Sequence, residues 1–415
     1  MEDRLRIFQG VTGQAGQPGA FAAGLRALGY SAKAVSIEEH KFGYKSDVPI
    51  NVPTYHLAGI FGAIGDLVHE FDVFHFHARS FASIWPSQGY PSLIDLLMLK
   101  AEGKKVFFHF RGSEIRLASE FREKNPFHYV DDPVAGVLFD KMPDAAKRRS
   151  LDFIRAVADG IFVTDPELQT YVPEATIVPR VLHEDDWPFI GIRKKRVPIV
   201  VHAPSRRAVK GTESLIRAVD RLRSRGVQID FRLVEGLSHQ EASRIYQEAD
   251  IVVDQLRIGW YGVLATEAMA LGKPVIAYIR DDIWKTCGHE LPVLNANPTN
   301  IESVLEGAVS DWGLLQEASL KARDYFLKTH GSSAVCTKLA AIYETTPKKK
   351  INWVAVGEFL DSQKLKVSSA RPKRSHAMRI IRYVNIENFR RLRDVARNRG
   401  SMSALKMVAD KVLQR

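Results

Sequence analysis

Short apolar runs rich in β-branched and aromatic residues alternate with amphipathic stretches, and the alternation starts twice. The first start is LRIFQ (5–9), a glycine-punctuated loop GVTGQAGQPG, a helical stretch FAAGLRALG that stops at Gly29, and the strand SAKAVSI. Two parallel strands cannot be joined by a tight turn and need a crossover, usually a helix, so this order predicts a β–loop–α–β unit. Further strands are expected at DVFHFH (72–77), KKVFFHF (104–110), GIFVT (160–164) and ATIVP (175–179), with a helix at SLIDLLMLKAEG (92–103). Strands buried on both faces read as near-continuous apolar runs, as most of these do.

A polar, proline-bearing stretch, HEDDWPFIGIRKKRVP (183–198), breaks the rhythm, and VPIVVHAPS (197–205) restarts it. The helix GTESLIRAVDRLRSRG, the strand QIDFRLVEG, the helix HQEASRIYQEA and the strand DIVVDQL follow. After them come GKPVIAYI, PVLNA and closing helices near ASLKARDYFLKTH and SAVCTKLAAIYE. The expected architecture is α/β, with two Rossmann-like, doubly wound domains facing across a cleft. The boundaries are an N-terminal domain at 1–185, a linker at 186–197, a C-terminal domain at 198–345 and a basic, partly helical tail at 346–415.

Composition narrows the class. A chain of 415 residues with 45% hydrophobic and 26% charged residues has enough apolar content for two buried cores. No apolar run reaches the ~18 residues of a membrane span, and MEDRLRIFQG lacks the apolar core of a signal peptide. Cys287 and Cys336 form neither a disulfide framework nor a metal spacing. The cytoplasm is the expected location. The net charge of +11 is uneven: residues 346–415 hold 18 Lys/Arg against 5 Asp/Glu. Such a tail fits an anionic membrane surface, and hence a peripheral place on the inner face of the plasma membrane. It carries few aromatics and no nucleic-acid motif, so nucleic acid is the less expected partner.

Two stretches carry chemistry. In GWYGVLATEAMALGKPVIAY (259–278), Gly262 precedes a helix. A helix start of this kind offers the amides of Val263 and Leu264, and a partial positive charge, to an anion. Glu267 lies little more than one turn in. Helical side chains lean toward the N-terminus, so its carboxylate is expected in the same pocket, accepting from a vicinal diol such as a ribose. In HAPSRRAVKGTES (202–214), Arg206, Arg207 and Lys210 precede a helix start, a cation set suited to a diphosphate. It lacks the G-x-x-x-x-G-K framework of a P-loop. His75 and His77 alternate to one face of their strand, with the cleft or the core as alternatives. No D-x-D triplet and no His/Cys metal spacing occurs, so no metal site is expected.

In this order the stretches VKGTESLIRAV, SHQEASRIYQEADIVVDQ (238–255) and GWYGVLATEAMALGKPVIAY resemble the retaining GT-B glycosyltransferases of family 4, over about residues 5–345. The resemblance implies sugar transfer from a nucleotide sugar such as a UDP- or GDP-sugar, with retention and no metal or other cofactor. With the basic tail, the expected acceptor is a glycan or lipid-linked saccharide in bacterial surface polysaccharide synthesis. The resemblance implies that Lys210 and Arg206 hold the donor diphosphate and that Gly262, Val263 and Leu264 face it. Glu267 would bind the ribose, and Gly13 and Gly16 would lie across the cleft. His109 and Arg111 stand as candidate catalytic residues. Two positions depart from the family pattern. Gly259 stands where the first Glu of its E-x7-E pair would be, and Arg111 in RGSE stands where its H-G-S-D pattern has His. The oligomeric state is not legible. A non-catalytic homologue that partners another transferase, and a nucleic-acid binder acting through the tail, are the alternatives.

Overall fold

The computed structural model describes residues 4–12, 14–37, 46–50, 57–82 and 92–363. Seven strands form a first sheet: β1 (Arg6–Val11), β2 (Ser31–Ser36), β3 (Val48–Pro49), β4 (Val73–His77), β5 (Lys105–Phe110), β6 (Gly160–Val163) and β7 (Thr176–Ile177). Their order is β3-β2-β1-β4-β5-β6-β7, and every pairing is parallel. Five strands form a second parallel sheet: β8 (Ile199–His202), β9 (Asp230–Leu233), β10 (Ile251–Val253), β11 (Val275–Ala277) and β12 (Val293–Asn295). Their order is β12-β11-β10-β8-β9. The order reverses between β1 and β4 in one sheet and between β8 and β10 in the other. In doubly wound sheets such switch points open a crevice at the carboxyl ends of the strands.

The first sheet is buried on both faces by period-2 alternation. Phe8, Phe74, Phe76 and Phe108 face one helical layer, while Ile7, Phe107 and Phe162 face the other with Phe21 and Tyr343. A fully buried Phe of this kind contributes about 1.5–3 kcal/mol of transfer free energy. The second sheet is enclosed alike, by Ala265, Met269 and Phe326 on one side and Leu215, Val219 and Leu305 on the other.

The last helices return to the first sheet. Helix Ser332–Thr345 packs Val335, Cys336, Leu339 and Tyr343 against the Ile7 and Phe21 layer. Sequence order had grouped this segment with the second half. Helix Trp353–Ser362, inside the stretch read as tail, inserts Phe359 against Phe153 at 4.4 Å between ring centroids. The rest of that tail, 364–415, lies outside the described residues. Among the described residues no helix is long and apolar enough to cross a membrane.

The two halves meet along the carboxyl ends of their strands. Arg257 of the second half donates to the carbonyls of Phe127 (3.2 Å) and His128 (2.8 Å) and pairs with Asp132 at 3.0 Å. Asn125 Nδ2 donates back to the Arg257 carbonyl at 2.8 Å, and Phe127 meets Tyr278 edge-on at 5.1 Å.

Candidate active site

At the switch point of the second sheet, β8 and β10 end at His202 and Val253. The loop after β8 carries Lys210, whose Nζ donates to Asp254 Oδ1 at 3.0 Å and Gln255 Oε1 at 2.6 Å, both just past β10. Gly262 precedes helix Val263–Ala270 and donates its N–H to the other oxygen of Asp254. A Cβ on Gly262 would sit 2.9 Å from Asp254 Oδ2 and 3.1 Å from Lys210 Nζ, so the close approach requires glycine. Among the described residues no side chain caps this helix, whose N-cap is Gly262 itself. Its first-turn amides, those of Val263 and Leu264 included, are therefore backbone donors at the edge of the Lys210 pocket. The helix ends at Gly272, with φ +72°.

Lys210 and Gly262 thus come together as expected. The structure also distinguishes the two neighbouring arginines. Arg207 is committed to surface pairs with Glu235 and Glu213. Arg206 is exposed and has no ion pair among the described residues. The family resemblance favours Arg206 over Arg207, while position alone does not separate them, because both precede the helix.

Glu267, expected to accept from a ribose, has a protein partner on one carboxylate oxygen. It is 4% exposed, and Oε1 is bonded to His239 Nε2 at 2.7 Å rather than open to a ligand. Burial raises the carboxyl pKa, against the pull of His239, and the bond to Glu267 raises that of His239. Sequence reasoning missed His239. It opens helix His239–Glu248, fixed by a Ser238–Glu241 capping box, and lies 6.0 Å from the Trp187 ring.

The first sheet supplies the other wall. Gly16, at φ +72°, precedes helix Gln17–Ala27, while Gly13 lies outside the described residues. Strand register places Gln9 beside His75 and His77 beside His109. Arg111, two residues beyond His109, continues this face at the carboxyl edge. His75, His77 and His109 are fully buried, on the core side of the alternatives for the first two, and His109, a candidate catalytic residue, presents no surface to the cleft. One ring nitrogen from each lies within 4.8 Å of the other two, a grouping that sequence spacing did not show because it is made by strand pairing. Each ring nitrogen already has a partner. His75 bonds Tyr343 Oη at 2.5 Å and His109 Nδ1 at 3.2 Å. His77 bonds Gln9 Oε1 at 2.7 Å and Arg111 Nη2 at 2.7 Å, and His109 Nε2 lies 3.5 Å from Thr164 Oγ1. Burial holds all three pKa values well below 6.5. With Arg111 alongside, the geometry is that of a neutral hydrogen-bonded chain.

Arg111 emerges from this chain into the cleft. Its guanidinium lies 5.3 Å from the Phe21 ring centroid and reaches Gln17 Oε1 at 3.4 Å. Burial, with Arg180 nearby, lowers its pKa to about 9, which leaves it a cation at neutral pH. Arg180 spans the cleft, 3.4 Å from both Asp165 Oδ2 and the Tyr261 carbonyl. On the second wall the Tyr278 hydroxyl and Arg280 Nη1 are buried without a hydrogen-bond partner among the described residues. Gly259 has φ +101°, and a Cβ there would lie 3.1 Å from Arg280 Cβ. The absence of a carboxylate at 259 therefore has a backbone cause.

No family model matches the sequence, and no curated protein matches it. The fold is similar to those of solved structures. A glycosyltransferase from Rickettsia africae ESF-5 matches with a TM-score of 0.55 at 15% identity, over 84% of this chain and 100% of that one. Sucrose-phosphate synthase from Thermosynechococcus elongatus matches at 0.55 and 14%, over 82% and 98%. HepE of Anabaena, solved in complex with UDP-glucose, matches at 0.51 and 12%, over 82% and 100%. At such identities the likeness establishes the fold. This chain has the GT-B fold, two Rossmann-like parallel sheets of seven and five strands.

Proposed function

We propose that this protein transfers a sugar from a nucleotide-sugar donor to a saccharide acceptor. The observation that carries the reading is the convergence of Lys210, Gly262 and the uncapped start of helix Val263–Ala270 at the switch point of the second sheet. An ammonium has three donors, and two of Lys210's are used within the protein, so one remains for a phosphate oxygen. Arg206 on the same loop adds a cation. The GT-B fold, shared with transferases that include one solved with UDP-glucose, supports the reading. In the retaining reaction the bond from the anomeric carbon to the phosphate oxygen breaks as the acceptor oxygen bonds to that carbon on the same face. The acceptor proton passes to the departing phosphate. The cations and amides stabilise the charge that develops there, and the fold positions the acceptor. No resident cofactor or metal is part of this reading.

The acceptor is a glycan or lipid-linked saccharide of a surface polysaccharide. The basic segment within 346–415 would hold the enzyme at an anionic membrane, at up to ~1 kcal/mol per Lys/Arg, screened by salt. Failure of the full chain to sediment with phosphatidylserine vesicles at low salt would remove the membrane from this account. For the donor site the test is calorimetric titration with UDP and GDP. Lys210→Ala is expected to weaken the diphosphate that binds by about 1.5–3 kcal/mol, a lost charge-assisted hydrogen bond. If neither diphosphate binds the wild type, the transferase reading is wrong. Binding without turnover of any donor would favour a second reading, a non-catalytic partner of another transferase. The glycine enforced at 259 and the burial of His109 are the observations on its side.

A further inference from the structure

Arg111 is a partly buried cation without an ion pair among the described residues. Its side chain is held only by neutral groups: His77 Nδ1 at 2.7 Å from Nη2 and 3.2 Å from Nε, and Gln17 Oε1 at 3.4 Å. A desolvated cation is costly unless an anion meets it. The acids nearby are engaged elsewhere. Glu114 accepts the backbone N–H groups of Arg111 and Gly112, while Asp165 caps Leu168 and faces Arg180. Arg180 is close enough to Arg111 to depress its pKa, and it also reaches the Tyr261 carbonyl, one residue from Gly262. The two guanidiniums therefore lie next to the Lys210 pocket but on the other wall. Gln17 joins them: its Oε1 accepts the Val181 N–H at 2.9 Å and its Nε2 donates to the Val181 carbonyl at 3.0 Å. Of five guanidinium N–H donors, Arg111 spends two on His77 and one, at long range, on Gln17.

We propose that Arg111, with Arg180 beside it, forms a second anion subsite next to the diphosphate pocket and selects a saccharide that bears a carboxylate or a phosphate. The inference rests on the donor reading and names its substrate class. The anion arrives either on the donor sugar, as a uronate, or on the acceptor, as a sugar phosphate. A guanidinium matches both because its fork binds carboxylate and phosphate oxygens in pairs.

The experiment is a titration of the full chain, as wild type, R111Q, R111K and K210A. The probes are UDP, UDP-glucose, UDP-glucuronate, glucose 6-phosphate with UDP, and inorganic phosphate, with GDP forms substituted if GDP is the nucleotide that binds. Wild type is expected to hold an acidic probe about tenfold or more tighter than its neutral counterpart. R111Q should collapse that ratio, with R111K in between. Loss of selectivity for UDP-glucuronate places the anion on the donor, and loss of glucose 6-phosphate binding places it on the acceptor. No preference for any acidic probe overturns the subsite. So does a loss of UDP affinity in R111Q as large as in K210A, because Arg111 would then belong to the diphosphate. If wild type binds no nucleotide, the transferase reading falls alone, and glucose 6-phosphate and phosphate binding compared between wild type and R111Q still decides the subsite. Melting curves without ligand separate lost binding from lost folding.

Discussion

Arg111 donates through Nη2 to Nδ1 of His77 at 2.7 Å, and that bond sets the direction of every hydrogen bond behind it. An arginine cannot accept, so His77 Nδ1 is the acceptor and its proton is on Nε2, facing Gln9 Oε1 at 2.7 Å. Gln9 Nε2 then donates to Tyr343 Oη at 3.0 Å, and Tyr343 donates to His75 Nδ1. His75 Nε2–H points to His109 Nδ1, and His109 Nε2–H to Thr164, which donates to the Phe110 carbonyl at 3.2 Å. The protons are assigned from the network, and one assignment satisfies every member. The chain starts at a cation in the cleft and ends on a backbone oxygen in the core.

Tyr343 is the link that belongs to the returning C-terminal helix, so Tyr343→Phe tests the chain. The variant keeps the ring against Phe107 at 5.0 Å and removes only the hydroxyl. Gln9 Nε2 and His75 Nδ1 are then left unpaired in the core, at about 1–3 kcal/mol for each orphaned group. The expected outcome is a lower urea midpoint with an unchanged fold by circular dichroism. Stability equal to wild type would show that the chain carries no net energy.

Five histidines buried among the described residues make stability depend on pH. Burial holds His75, His77 and His109 well below 6.5 and pulls His202 and His330 down to about 4. Below about pH 6.5 the unfolded chain takes up protons that the native state refuses, so stability is present above that pH and lost as pH falls. Each histidine removes about 1.4 kcal/mol per pH unit in that range. Asp95, raised to about 6 by burial, acts in the opposite sense and offsets one of them. A fall of several kcal/mol between pH 7.5 and 5.5 is expected in urea unfolding. A flat profile over that window would mean that these histidines are hydrated.

Most of the fold was legible, because parallel strands buried on both faces announce themselves as apolar runs between helical stretches. The expected strands agree with β1, β2, β4, β5 and β8 to within a residue or two at most ends. The path of the chain after Thr329 was not legible, since Val335, Leu339 and Tyr343 form an apolar stripe that would suit either sheet. Lys210 and Gly262 were readable from local sequence because a glycine before a helix and a lysine after a strand have local meaning. The pairing of Glu267 with His239 was not, for 28 residues and a β–α crossing separate them. The histidine cluster depends on register between strands, which alternation within one strand does not fix.

Gly259, the departure from the E-x7-E pattern, has a backbone reason that can be tested. Its φ of +101° is open to glycine and strained for other residues, and a Cβ would press on Arg280. Gly259→Ala is therefore expected to cost about 1–2 kcal/mol from backbone strain alone, and more from the contact. Gly226→Ala, at φ +89° with nothing within 4 Å of the added carbon, isolates the strain. If both variants melt with the wild type, the backbone explanation fails. For the same reason Gly259→Glu would not simply restore an acid to the pocket.

The Glu267–His239 pair, 2.7 Å apart, gives the last test. The bond to Glu267 raises the His239 pKa above 6.5. A raised histidine contributes stability in full below its unfolded pKa and loses it as pH rises through its folded one. That contribution also needs Glu267 ionised, and burial raises the carboxyl pKa. The window therefore runs from the titration of Glu267 up to that of His239. In Glu267→Gln the His239 resonance should titrate at lower pH than in wild type, and the stability gap between the two proteins should narrow as pH rises past neutrality. Ligand binding separates a structural pair from a ribose site. If one carboxylate oxygen serves the ribose while His239 holds the other, Glu267→Gln weakens UDP or GDP and leaves pyrophosphate unaffected. Equal losses for nucleotide and pyrophosphate would assign the carboxylate to the pocket wall, and an unchanged nucleotide affinity would leave the pair a structural one.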